Sequence, residues 1–145
     1  MPHKRREWIE RIKEVHREYQ SVRIAVDRLL PDTQSRGNVV NFRDLSRASA
    51  RLEGTFIIRI FAEFETGLRD YWKTVRDTHP KMEDLVNGVA TRQRVPDDLI
   101  PRVHAVRNYR NSLVHERGSS VSPIAIPEVQ NHLVDFVSRL PPDWG

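Results

Sequence analysis

The chain has 145 residues, no cysteine, a formal net charge of +4, and 38% hydrophobic against 30% charged residues. That length suits one domain with a real core, and the composition lies outside the range of intrinsically disordered chains. Without cysteine, disulfides and thiolate metal sites are excluded and an intracellular, cytoplasmic protein is favoured.

Met1-Pro-His-Lys-Arg-Arg-Glu-Trp is basic, but no apolar run follows it, so neither a secretory signal nor a membrane span is expected. Of the 24 basic residues, 20 are arginine and 4 are lysine. Guanidinium groups bind phosphate bidentately and stack on bases, although a GC-rich coding sequence gives the same bias.

The first helix is predicted from Arg6 to Leu30. Trp8, Ile12, Val15, Tyr19, Val22, Val26 and Leu29 follow at spacings of four and three, a heptad seam. Pro31-Asp32 stops it and 34–38 is a loop. A long second helix starts near Asn41, whose side chain is placed to cap it, and runs to His79-Pro80 with a bend at Gly54. Its wide aromatic face marks it as the central helix. Within it, Leu45–Arg51 faintly resembles a DNA-recognition helix, which supplies a third reading, a DNA-binding regulator.

Met82, Leu85, Val86 and Val89 predict a short helix, and Arg92–Pro96 a basic loop. Asp97 or Asp98 caps the next helix, which ends at Gly118 and tolerates Pro101 in its first turn. After a loop over 118–127, Pro127 opens a last helix with Val129, Leu133, Phe136, Val137 and Leu140 at helical spacing, ended by Pro141-Pro142. No segment alternates like a strand. The expected architecture is all-α, an up-and-down bundle of four main helices plus a short extra one. It forms one domain over 1–145, with frayed tails at 1–5 and 141–145.

The helix opening near Asp97 carries the least ordinary pattern. His104, Asn108, Asn111 and His115 are spaced by four, three and four and so form one stripe. Leu99, Val103, Val106, Tyr109 and Leu113 face the other way, toward a core. Solvated faces usually carry Lys and Glu; two imidazoles and two carboxamides beside Arg107 and Arg110 were not chosen for helix propensity. Arg110-Asn111-Ser112-Leu113-Val114-His115 resembles the signature of the HEPN superfamily of small helical domains, an arginine followed after four to six residues by a histidine. Phe64-Glu65-Thr66-Gly67-Leu68-Arg69 is similar to a segment on an earlier helix of some members.

The resemblance implies a metal-independent, cofactor-free endoribonuclease that cuts RNA by attack of a ribose 2′-OH on the neighbouring phosphate. His115 would move the protons, since imidazole gives and takes a proton near neutrality. Arg110 would hold the phosphorane charge, and Asn111 would bind phosphate or orient His115. A single imidazole does not easily serve as base and acid at once, so a homodimer with the motif at its interface is implied. A toxin or defence role would bring an antitoxin such as a small nucleotidyltransferase. The alternative implied is a catalytically inactive HEPN-like dimeric binding or scaffold module.

Other features of the residues bear on this. Arg110 and His115 stand roughly 140° apart on an ideal helix, so Arg107 is a rival for phosphate contact. Asn108 and His104 are supporting candidates, and Glu65 is expected to hold Arg110 as an ion pair. A histidine near a helix C-terminus is also favoured simply by the helix dipole. No zinc spacing, P-loop or glycine-rich dinucleotide turn is present.

Overall fold

The computed structural model describes residues 3–37, 40–115 and 121–145. Among these residues the chain is all-helical and contains no strand. The elements are α1 (Lys4–Leu29), a single turn α2 (Thr33–Arg36), α3 (Phe42–Trp72), α4 (Met82–Arg92), α5 (Leu99–His115) and α6 (Ile126–Val137). The Gly118 stop, Asn38 in the first loop and the start of the 118–127 loop lie outside the described residues.

The 31-residue α3 is the axis of the bundle. It touches α1, α4, α5 and α6, while α6 touches α1 and α5, and α1 and α5 do not meet. In cross-section α3 and α6 thus occupy the short diagonal of a four-helix bundle, and α4 fills the gap beside α3 and α5. Phe61, Phe64 and Phe136 are fully enclosed there, with ring centroids 5.7 Å and 5.6 Å apart along the chain of three.

Asn41 caps α3 as its sequence implies: its side-chain oxygen accepts from the N–H of Arg43 at 2.9 Å and of Asp44 at 3.2 Å. The far end comes sooner than Pro80 requires. After Trp72 the backbone tightens, with the N–H of Thr74 bonded to the carbonyl of Tyr71 and that of Val75 to Trp72. The Trp72 indole then donates to Thr78, and Arg69 to the carbonyl of Pro80, so side chains of α3 fold the following segment back.

The helix is continuous through Gly54. The glycine serves close approach: a Cβ there would lie 3.2 Å from Leu113 of α5. Contacts along the two helices fix their sense. Arg110 stands by Phe61 and Leu113 by Gly54, so α5 runs antiparallel to α3.

The seam of α1 is used unevenly. Trp8, Ile12, Val15 and Tyr19 are buried, but Val22 is 38% exposed and Val26 and Leu29 are half-buried. Among the described residues of the tails where fraying is expected, Lys4, Arg5 and Trp144 carry contacts. Trp144 packs edge-on against Tyr71 and donates to Asp70, which also receives Lys4, and Arg5 donates to the carbonyl of Leu140. Among the described residues, no helix is long and apolar enough to cross a membrane.

Candidate functional site

Helix α5 is fixed by its apolar side. Leu99, Val103 and Val106 are buried, and Tyr109 and Leu113 pack against the core from its edge. The polar stripe therefore faces outward, as its spacing requires, yet the tertiary structure divides it into two parts with different surroundings.

The first part belongs to the contact with α4. One His104 nitrogen, Nε2, lies 2.7 Å from Oδ1 of Asn87, and the other, Nδ1, lies 3.3 Å from Nε of Arg107. A guanidinium only donates, so Nδ1 accepts, Nε2 carries the proton, and the ring is neutral. Burial and then the Arg107 charge push the His104 pKa down, against a weaker pull from Glu83. Arg107 in turn reaches Glu83 at 3.9 Å, with 16% of its side chain exposed. The sequence offered His104 as a supporting group and Arg107 as the rival phosphate ligand; both are committed to holding α5 on α4. Neither lines the groove formed by the other half of the stripe.

That groove, of about 600 Å³, is walled on one side by Asn108, Asn111, Ser112 and His115. Ala105 of the same helix also lines it, together with Val121, Ser122 and Ile124 from the segment before α6. The approach to α6 thus closes the site, although in sequence it read only as a connector. Ser112 is not free to act, since its hydroxyl donates to the carbonyl of Tyr109 at 2.6 Å.

Arg110 sits behind this wall. Its guanidinium carbon lies 5.5 Å from the Phe61 ring centroid, and Nη1 donates to Oδ1 of Asn111 at 3.0 Å. Its Nε is enclosed without a hydrogen-bond partner. Because the arginine can only donate, Oδ1 is the end of the Asn111 amide turned toward it. The two N–H donors of that amide are left for the groove.

The expected Glu65–Arg110 ion pair does not form. Glu65 instead pairs with Arg69, one turn along its own helix, at 2.9 Å. The reason is reach: the i, i+4 partner is already in place on α3, while Arg110 meets α3 at Phe61, one turn before Glu65. The carboxylate whose field reaches Tyr109 of the motif helix is Glu53, unnoticed in the sequence. Together with burial, the larger cause, it pushes the Tyr109 pKa up, and it accepts a long hydrogen bond from Tyr19 at 3.5 Å.

Among the described residues, no group of three or more His, Cys, Asp or Glu is gathered to hold a metal ion. Compared with protein-family models, curated proteins and solved structures, the chain finds no match.

Proposed function

We propose that the chain is a metal-independent endoribonuclease of HEPN type, acting on RNA as a homodimer, in the manner of a toxin or defence effector. One observation carries this reading: His115, Asn111 and Asn108 line a single groove, and the arginine of the motif is hydrogen-bonded to the asparagine of that groove. An imidazole and oriented amide donors are what transesterification at phosphorus needs, together with a permanent positive charge.

In this reading a phosphate enters beside Asn111 and takes its N–H donors. Nη1 of Arg110 exchanges the Asn111 carbonyl for a phosphate oxygen and stabilises the charge of the pentacoordinate state. His115 removes the 2′-OH proton, and His115 of a second copy protonates the leaving 5′-oxygen. The products are a 2′,3′-cyclic phosphate and a 5′-hydroxyl, and no redox step or metal is needed. Such a toxin would be held in check by an antitoxin, for instance a small nucleotidyltransferase.

A second reading is favoured by the position of Arg110 over Phe61, turned from the groove with Nε enclosed. It is the same dimeric fold used as a binding or scaffold module without catalysis.

The test is incubation of the purified protein with a mixed RNA pool in excess EDTA, beside Arg110→Ala and His115→Ala. Cleavage that survives chelation, leaves cyclic phosphate ends and falls at least about a hundredfold in each variant supports the ribonuclease, general acid–base catalysis alone being worth about 10²–10⁴-fold. A folded dimer that leaves every RNA intact supports the scaffold.

A further inference from the structure

Leu113 meets α3 at Gly54, and α5 is described for only two residues more. Twelve residues of α3, Phe42 to Glu53, lie on the N-terminal side of that contact, about 18 Å of helix at 1.5 Å per residue. Their rear face is backed by α1: Arg23 donates to the carbonyl of Ser49, and Tyr19 reaches Glu53.

The front face continues the direction in which Gly54 looks at α5. On an ideal helix Arg43, Arg47 and Arg51 fall within roughly 60° of the Gly54 direction, successive arginines being about 6 Å apart along the axis. All three are exposed, as are Ser46 and Ala50 between them. Small neighbours leave the guanidinium groups accessible.

These arginines differ from those on the α1 side of the pair. Arg23 is neutralised by Asp27 at 2.6 Å and Arg59 by Glu18 at 2.8 Å. For Arg43, Arg47 and Arg51 no carboxylate among the described residues comes within 4.0 Å, and Asp44, one turn from Arg47, makes no ion pair with it. Three like charges stacked at successive turns repel one another, which disfavours the helix unless an anion offsets them.

We infer that the Arg43–Arg47–Arg51 face of α3 is a docking track for the phosphodiester backbone of a nucleic-acid strand. A linear array of guanidinium groups, one per helical turn, suits a linear polyanion whose charges also repeat at short, regular intervals. Arginine binds each phosphate as a fork, and no residue from Arg43 to Arg51 is aromatic, the exposed Phe42 ring lying about 120° from the Gly54 direction, so the contact is to backbone. The track begins on α3 within one helical turn of the Gly54–Leu113 contact, and so lies toward the same end of the bundle as His115. It stands independently of any chemistry at that residue.

Fluorescence anisotropy with a labelled 20-nucleotide single strand tests it, in ribose and in deoxyribose form, over a salt series. The deoxy strand has no 2′-OH, so binding is read whether or not the protein cleaves RNA. The triple variant Arg43→Gln, Arg47→Gln, Arg51→Gln is compared with Arg92→Gln, Arg102→Gln, Arg139→Gln, which removes three exposed charges elsewhere; both take the net charge from +4 to +1 (4 − 3).

We expect the wild type to bind both strands. The track variant should lower the slope of log K against log salt by about 2, that is, by about 0.7 for each of three phosphates, and weaken binding roughly a hundredfold at 0.1 M salt. Replacing the three with lysine should restore most of the affinity, and circular dichroism should show all variants equally helical. Equal loss in the distal control would reduce the effect to net charge and overturn the track. So would binding of the ribose strand alone, which places the contact on the 2′-OH, or no binding by the wild type at 50 mM salt.

Discussion

His104 and His115 share one stripe in sequence and have opposite situations in the fold. His104 has both nitrogens engaged and its pKa lowered by burial and by Arg107. Because the folded value lies below the ordinary 6.5, the neutral ring adds stability that is fully present above that pH. It is lost as the pH falls through the folded value. Urea unfolding between pH 5 and 8 should therefore show the wild type losing stability on the acid side, with a shallower slope in His104→Gln. An unchanged slope would mean that another group titrates. The stripe itself was legible, since it follows from 100° per residue. The partners of His104 were not, because Asn87 and Glu83 sit on another helix and no spacing within α5 points to them.

At the scale of the helices, glycine marks close approach, and the neighbour decides the consequence of filling it. A Cβ at Gly54 would press at 3.2 Å on the end of the Leu113 side chain, which can turn aside. Gly54→Ala should thus keep the helix-propensity gain and stabilise by up to about 1 kcal/mol. At Gly67 the same Cβ meets the fused ring of Trp8 at 3.0 Å, and Trp8 is itself buried. Overpacking there costs about 1–3 kcal/mol and outweighs the same gain. Thermal melts of the two alanine variants should move in opposite directions, and Trp8→Phe should relieve part of the Gly67→Ala loss. In sequence Gly54 suggested a bend and Gly67 sat unremarked, because neither Leu113 nor Trp8 is a sequence neighbour.

Across the whole molecule the two ends meet on one carboxylate. Burial opposes the charge of Asp70, but hydrogen bonds from Trp144, Lys73 and Lys4 outweigh it and hold its pKa below the ordinary 3.8. Its contribution is therefore present above about pH 4 and lost as the pH falls through the folded value. Asp70→Asn should lower stability at pH 7 by about 1–2 kcal/mol, the worth of hydrogen bonds to a charged group. The difference from wild type should close as the pH falls below 3.8 and through the folded value of the Asp70 carboxyl, where the wild-type group is protonated too. A gap that persists there would assign the effect to shape rather than charge. At the other extreme of burial, Phe64→Ala should cost about 3–5 kcal/mol, since that ring is sealed between Phe61 and Phe136.

The sequence by itself determined the five longer helices, though not the turn at Thr33–Arg36 or the end of α3 at Trp72, and also the Asn41 cap, the core face of α5 and the outward stripe. These depend on local periodicity and on side chains within one turn of the backbone they serve. Only the tertiary structure decided that the stripe divides at Arg107 and that Asn108, Asn111 and His115 share a groove with Val121, Ser122 and Ile124. It also turned Arg110 over Phe61 rather than toward Glu65, and left Arg43, Arg47 and Arg51 of α3 exposed. Each of these depends on which helix lies across from which, and at what height. That is fixed by packing residues such as Gly54, Leu113 and Phe61, whose partners are far away in the chain.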